Sequence, residues 1–133
     1  MTKPVNRLPD TNTILRYLLN DNIRLSKTAR NFFEKVKKGE EKIVILESVI
    51  IECVYVLVKI YSVPKKEVAE ILIKLLSYKG VANNDKKELT DALSLFAKKN
   101  LDIVDCILCE KAKNQKMPLF TFDKNLKKHS STN

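Results

Sequence analysis

The sequence contains few residues that interrupt regular structure. Its 133 residues include only two glycines and four prolines, and no low-complexity stretch or internal repeat occurs among them. Boundaries between domains are usually marked by linkers rich in such residues. We therefore expect a single domain over 1–133, because a chain of this length buries most of its apolar surface in one core.

Long apolar runs are also missing. No stretch reaches the roughly 18 residues of a membrane span, and the longest, 49–60, is interrupted by Glu52 and Lys59. The first seven residues contain no apolar signal-peptide core. The composition, with 44% hydrophobic and 31% charged residues, is that of a soluble globular protein. Because a signal-peptide core is missing, we expect a cytoplasmic protein without membrane attachment.

Histidine and cysteine are too scarce for a zinc site. The chain has one histidine, His129, and three cysteines, of which Cys106 and Cys109 form a C-x-x-C pair. Tetrahedral zinc would need further ligands, and a redox pair normally opens a helix just after a strand. This pair instead lies inside an apolar helical stretch. We interpret both cysteines as small core residues, and His129, among lysines and serines, as solvated.

Charge is biased toward the positive side. Lysine and arginine number 25 against 16 aspartates and glutamates, which gives a net charge of +9. This excess favours polyanionic partners, although lysine-rich surfaces also occur for solubility alone. The basic residues are scattered without a zinc-finger or RRM signature, which counts against a nucleic-acid-binding regulator of unrelated chemistry.

Apolar periodicity predicts strands that alternate with helices. Such alternation is typical of a parallel sheet covered on both faces, that is a three-layer α/β/α domain, whose ligand site lies beyond the carboxyl ends of the strands. Gly39 is expected to end the second helix as a C-cap and Ser48 to cap the third. The predicted strands are 5–8, 42–46, 81–82 and 119–122; a helix follows Asp10, others span 26–38, 48–61, 64–78, 86–98 and 103–114, and a last one starts at Asp123.

Two aspartates follow predicted strands. Asp10 comes after the first strand and Asp123 after the last, so both are expected at the carboxyl edge of the sheet. Each also has an ordinary explanation, because aspartate is a favoured N-cap that accepts a hydrogen bond from the first backbone N–H groups of a helix. For either residue taken singly, capping and function remain equally open.

Two further acids interrupt apolar helices. Glu52 lies in a helix that is apolar on nearly all sides and is expected to be buried, with no basic residue three or four positions away. Asp105 falls in the first turn of a later helix, for which Asp102 is the natural cap. An accessory role of Asp102 in the site is the alternative. The helix dipole favours an acid at this position but does not explain its apolar neighbours. A lone buried carboxylate is costly unless a cation or hydrogen-bond donors surround it.

The four acids can converge on one site. Like charges in one pocket repel strongly unless a cation neutralises them. Ligand sets made only of oxygen select hard Mg²⁺ or Mn²⁺. We therefore predict a shared divalent cation, and its ligands are Asp10, Glu52, Asp105 and Asp123.

Four short segments contain these acids. They are Asp10-Thr-Asn-Thr-Ile-Leu-Arg-Tyr-Leu-Leu, Glu52-Cys-Val-Tyr-Val-Leu, Leu101-Asp-Ile-Val-Asp-Cys-Ile-Leu and Thr121-Phe-Asp-Lys-Asn-Leu. In order and spacing, over almost the whole chain, they resemble the four motifs of PIN domains, and most closely those of VapC-type toxins. The resemblance implies a metal-dependent endoribonuclease of RNA in which the four acids are catalytic, a homodimer, and silencing by a small antitoxin protein.

The resemblance also implies accessory residues. Asn12 and Thr121 match polar residues that support the site, whereas Asn125 stands where many relatives carry a further acid and can serve only as a neutral or supporting group. Basic residues flank the motifs and are candidates for RNA phosphate contacts, with solvated surface charge as the competing interpretation; they are Arg16, Lys124, Lys127 and Lys128. The alternative function is a non-catalytic PIN scaffold that binds RNA or a protein partner.

Overall fold

The computed structural model describes residues 5–19 and 23–130, which form many helices and one short parallel sheet. The strands are β1 (Asn6–Arg7) and β2 (Lys42–Ile43). The helices are α1 (Thr11–Leu19), α2 (Ile23–Lys38), α3 (Glu47–Tyr55), α4 (Lys65–Leu76), α5 (Lys86–Lys98), α6 (Ile103–Asn114) and α7 (Lys124–Ser130), and a π-helix (Val56–Ile60) continues α3. Among these helices, none combines the length and the apolar character that spanning a membrane requires.

The sheet is small and parallel. Asn6 pairs with Lys42 and Arg7 with Ile43, and a further parallel bridge joins Ile43 to Val81, where the third strand was predicted. Parallel pairing with helices between the paired segments confirms the α/β class. The three-layer arrangement stays a prediction, because strands of two residues do not define the two faces of a sheet.

Strand β2 is shorter than predicted because a side chain replaces the ladder beyond it. The backbone N–H of Ile45 donates to Oδ1 of Asn83 at 2.8 Å, and Nδ2 of Asn83 donates to the Ile45 carbonyl at 2.7 Å. The same amide nitrogen lies 2.9 Å from Oδ1 of Asp85. Since the side-chain amide satisfies both polar groups of Ile45, this segment needs no neighbouring strand.

The prediction of a strand at 119–122 is wrong. The segment pairs with neither of the described strands. Phe120 and Phe122 are 87% and 90% exposed, and their rings contact each other edge to face with centroids 5.6 Å apart. The composition is that of a strand, but a strand also needs a partner for its backbone and a surface for its apolar face.

Most helix predictions are confirmed. Helix α5 has the predicted bounds and α6 ends where expected. Gly39 ends α2 with φ +85°, a left-handed conformation that glycine adopts without strain. The prediction that Ser48 caps α3 is wrong, because α3 begins at Glu47 and Leu46 occupies the cap position, with no side-chain cap bond from the described residues.

All three cysteines lie in the described core. Cys53, Cys106 and Cys109 are buried and form no disulfide, as predicted for the C-x-x-C pair. Burial raises the pKa of the Cys53 and Cys106 thiols to about 12. Neither thiol is therefore a nucleophile at neutral pH.

A lysine joins three helices. Nζ of Lys111 on α6 lies 2.7 Å from Oε2 of Glu88 on α5 and 3.4 Å from Oε1 of Glu47 on α3. Nε2 of Gln115 donates to Oε1 of Glu88 at 3.2 Å. The hydrogen bond to Glu88 is the main reason that the pKa of Lys111 is raised. These four residues, the Lys111 cluster, hold α6 against α3 and α5.

Breaking the Lys111 cluster is expected to destabilise the fold. Lys111→Met leaves the Glu88 carboxylate, which is only 8% exposed, without its cation. We expect a loss of about 3 kcal/mol in the free energy of unfolding, the low end for a broken buried ion pair, because Lys111 itself retains some solvent. Urea unfolding followed by circular dichroism measures this loss.

Two further variants control the experiment. Lys111→Met combined with Glu88→Leu should recover part of the loss, since the Glu88 charge leaves together with its cation while Glu47 still loses its ion pair. Lys87→Met breaks the exposed pair with Asp91, at 2.7 Å, and should change stability little. Equal losses for Lys87→Met and Lys111→Met would contradict the structural role of the cluster.

Candidate active site

The four predicted acids belong to helices that pack in a row. Helix α3 packs against α1 and α6, and α6 packs against α7. Asp10 precedes α1, Glu52 lies in α3, Asp105 is in the first turn of α6 and Asp123 precedes α7. The row of packed helices therefore carries the acids in that order along the row.

Asp10 caps α1. Its Oδ1 accepts a hydrogen bond from the backbone N–H of Thr13 at 2.8 Å, as expected of an N-cap aspartate. This bond is the main reason that the pKa of Asp10 lies below its usual value, so the group is ionised at neutral pH. Its second carboxylate oxygen takes no part in this bond. Asn12 and Arg16 line the same open pocket as Asp10.

Glu52 is exposed, and the prediction that it is buried is wrong. Helix α3 does bury apolar residues, but Glu52 lies on the side that faces solvent, as does Tyr55 one turn later. Oγ1 of Thr11 donates to Oε1 of Glu52 at 3.0 Å. Because Thr11 is the neighbour of Asp10, this hydrogen bond connects the first acid to the second.

Asp105 is partly buried near two other acids. Burial raises its pKa first, and the negative charges of Asp102 and Asp123 raise it further. Both groups must therefore lie within electrostatic reach of Asp105. A raised carboxyl pKa means that the negative charge is unfavourable in the folded protein as it stands.

Asp123 caps α7 in the same way as Asp10 caps α1. Its Oδ1 accepts hydrogen bonds from the N–H groups of Asn125 at 2.9 Å and Leu126 at 3.1 Å. Its own N–H donates to Oγ1 of Thr121 at 3.0 Å. Thr121 therefore fixes the backbone of this acid, while Asn125 contributes its backbone and exposes its side chain.

Asp102 does not cap α6 with its side chain, so that prediction is wrong. It occupies the N-cap position with extended backbone angles, but it makes no side-chain bond to the described N–H groups of the helix. Its exposed carboxylate lines a pocket with Tyr55 and Asn100. The Asp102 carboxylate, whose charge raises the pKa of Asp105, is therefore not engaged in a cap hydrogen bond.

The basic residues lie near both ends of the row. Lys124, Lys127 and Lys128 are exposed on α7, and Arg16 is partly buried in α1. Contact with RNA phosphates stays a prediction for all four. His129 is partly buried and lines a surface pocket together with Glu110, so it is less solvated than the lysines beside it.

The four acids have the ligand type that a divalent cation prefers, but their side chains do not form a complete metal site. Within 5–19 and 23–130, no three acid, histidine or cysteine side chains are close enough together to hold a metal ion. Carboxylates are nevertheless the ligands that Mg²⁺ and Mn²⁺ prefer, and a cation would relieve the unfavourable charge on Asp105. Glu52, Asp10 and Asp123 are exposed, so core packing does not fix their side-chain rotamers.

Sequence reasoning missed two features of this region. The hydrogen bond from Thr11 to Glu52 joins residues far apart in sequence and left no local signal. The exposed stripe of α3 and the π-helix did leave one, because Glu52, Tyr55 and Lys59 recur at intervals of three and four residues, the spacing of one helix face.

Comparison with known proteins gives the class. A model of the PIN domain family matches residues 7–131, so the chain belongs to the PIN domain family. It is also similar to a VapC ribonuclease of Aquifex aeolicus (strain VF5), with 29% identity over 107 residues that cover 80% of this chain and 78% of that protein. No solved structure matches the chain. The resemblance inferred from the four motifs is confirmed.

Removing the charge of Asp105 is expected to maintain or increase stability. The raised pKa means that the folded protein disfavours the ionised form more than the unfolded chain does. Asp105→Asn should therefore leave the thermal midpoint at neutral pH in chelator unchanged or higher. Differential scanning calorimetry measures it, and added Mg²⁺ should raise the midpoint of the wild type but not of the variant.

A matched control distinguishes repulsion from the helix dipole. Glu67 is an exposed acid in the first turn of α4, so Glu67→Gln should lower the midpoint slightly by removing a favourable dipole interaction. A lower midpoint for Asp105→Asn than for Glu67→Gln would show that Asp105 stabilises the metal-free fold.

Proposed function

We propose that this protein is a metal-dependent endoribonuclease and the toxin of a toxin–antitoxin pair. The main support is the row of packed helices that carries Asp10, Glu52, Asp105 and Asp123, with an uncompensated charge on Asp105. Membership of the PIN family and similarity to a VapC ribonuclease support the reaction and the class of partner. The net charge of +9 suits an RNA substrate.

The four acids are the proposed ligands of one or two Mg²⁺ or Mn²⁺ ions. When bound, such ions activate a water for in-line attack on phosphorus and stabilise the leaving oxygen. The chain's own groups hold the acids in place. The N–H of Thr13 orients Asp10 and the hydroxyl of Thr11 orients Glu52, while the N–H groups at the start of α7 orient Asp123.

Basic side chains at the two ends of the row are the proposed RNA contacts. Arg16 lines the pocket of Asp10, and the lysines Lys124, Lys127 and Lys128 follow Asp123 on α7. We further propose a homodimer, a small antitoxin protein as partner, and a single three-layer α/β/α domain. The similarity to a VapC ribonuclease supports the antitoxin.

A second function has one observation in its favour. No three acids in the described chain approach one another closely enough to hold a metal ion. A PIN scaffold that binds RNA or protein without cutting it would need no such metal site. The retention of all four acids supports the nuclease instead. Cleavage assays decide between the two.

Cleavage of single-stranded RNA is expected in Mg²⁺ or Mn²⁺ and not in chelator. Asp10→Asn and Asp123→Asn should each lower the rate at least about a hundredfold, the upper end for loss of a group that merely supports a ligand. Both variants should stay folded, because asparagine caps nearly as well as aspartate. Asp91→Asn, in the exposed pair on α5, is the control. Undiminished cleavage in chelator would remove the metal mechanism.

Binding to RNA is expected to weaken steeply with salt. Each phosphate contact to a single strand contributes about 0.7 to the slope of log affinity against log salt. Lys124→Gln should reduce the slope by about that amount, whereas Lys38→Gln, at the exposed end of α2, should not. Fluorescence anisotropy at several salt concentrations measures the slope. An affinity insensitive to salt would contradict the proposal that the basic side chains bind RNA phosphates.

A further inference from the structure

A pocket beside the acids has no role in the mechanism above. It lies between the end of α3, the π-helix, the start of α4 and the segment from α5 to α6, and its volume is about 200 Å³. Pockets for whole small molecules measure roughly 300–1,000 Å³, so this one suits a single planar group. Its polar lining consists of Tyr55, Lys59, Lys65, Asn100 and Asp102.

Two connections place this pocket next to the acids. Tyr55 follows Glu52 by three residues, so both lie on one face of α3, and both are exposed. On the other side, the charge of Asp102 acts on Asp105. The pocket is therefore bounded by the helix that carries Glu52 and the helix that carries Asp105.

The π-helix forms one wall of the pocket. It contributes Val58 and the exposed side chain of Lys59, and its end is marked by the N–H of Tyr61, which donates to the Val56 carbonyl five residues earlier at 3.2 Å. Such turns are rare in helices and often occur at functional sites. The wall presents an aromatic ring, Tyr55, followed by a cation.

The opposite wall is held in place by Lys65. Its Nζ donates to the carbonyls of Lys99 at 3.0 Å and Leu101 at 3.3 Å, and it lies 4.3 Å from the ring centroid of Phe96. These contacts fix the turn between α5 and α6, which bears Asn100 and Asp102. Polar groups fixed before binding lose little entropy when a ligand arrives.

We propose that this pocket binds one base of the RNA substrate beside the cleavage site. Tyr55 stacks on the base, Lys59 contacts the adjoining phosphate, and Asp102 accepts hydrogen bonds from the base edge. Stacking on an aromatic ring tolerates any base, but a carboxylate acceptor favours bases with an exocyclic amine. The pocket therefore prefers adenine, cytosine or guanine to uracil. This inference rests on the proposed ribonuclease function.

The first test measures binding without cleavage. In an Asp10→Asn background, the affinity for a labelled single-stranded RNA is measured by anisotropy. Adding Tyr55→Leu should weaken binding about tenfold, the low end for loss of one base–aromatic stack, and Tyr55→Phe should retain it. Tyr61→Leu is the matched control, because its ring is 46% exposed against 49% for Tyr55 but lies outside the pocket.

The cation and the carboxylate have separate readouts. Lys59→Gln should lower the salt slope of binding by about 0.7, whereas Lys66→Gln, exposed on α4, should not. Asp102→Asn should reduce the discrimination between uridine and the other bases by about tenfold. This discrimination is measured as the ratio of KM values for RNAs that carry uridine or another base at a single position. A role of Asp102 limited to the metal would lower kcat for every RNA alike.

Failure of the pocket and failure of the nuclease are distinguishable. If the wild type cuts RNA while Tyr55→Leu and Tyr61→Leu bind equally well, the base pocket is overturned and the ribonuclease stands. If RNA binds through Tyr55 but no metal supports cleavage, the pocket stands as part of a binding scaffold. Absence of both binding and cleavage overturns both.

Discussion

The ion pairs of Lys111 are the contacts on which the packing of the site helices depends most. This lysine bridges Glu88 on α5 and Glu47 on α3, and Oε1 of Glu47, buried without a hydrogen-bond partner among the described residues, has the ion pair at 3.4 Å as its compensation. Apolar contacts tolerate sliding and rotation of helices, whereas an ion pair fixes particular atoms. The helices so fixed are those that carry Glu52 and Asp105, and they also bound the proposed base pocket. The ion pairs of Lys111 therefore join the two helices that carry Glu52 and Asp105.

Capping and catalysis are compatible roles for the aspartates of this site. Asp10 and Asp123 use Oδ1 to accept backbone N–H groups, so these cap bonds engage only one of the two oxygens of each carboxylate. The helix termini also favour negative charge, which offsets part of the repulsion among the acids. Asp105 lacks such a cap bond and is partly buried, so the repulsion is most evident there. The choice between an N-cap and a ligand, which the sequence leaves open, is thus not a choice between exclusive roles.

Local signals in the sequence predict local structure here, and long-range contacts account for the errors. Helix α5 and the Gly39 cap follow from apolar spacing and glycine chemistry within a few residues. Strand β2 ends early because Asn83, distant in sequence, bonds to Ile45, and no local pattern reveals that. The exposure of Glu52 depends on which side of α3 its neighbours cover, although the stripe through Tyr55 and Lys59 indicated it. The proposal of the four acids rests on residue type, position and family motif, whereas the distances between them depend on side-chain rotamers that no sequence pattern encodes.

The burial of the cysteines determines how the protein reacts with oxidants. Formation of a sulfenic acid requires an accessible thiolate, and the thiols of Cys53 and Cys106, with pKa values of about 12, provide neither access nor charge. Among the sulfur atoms of the described residues, peroxide would act first on the thioether of Met117, which is half exposed in the segment that leads to Asp123. A chain whose proposed chemistry rests on oxygen atoms alone would therefore keep its reactive groups under oxidative stress, and damage would begin at a side chain outside the acid row.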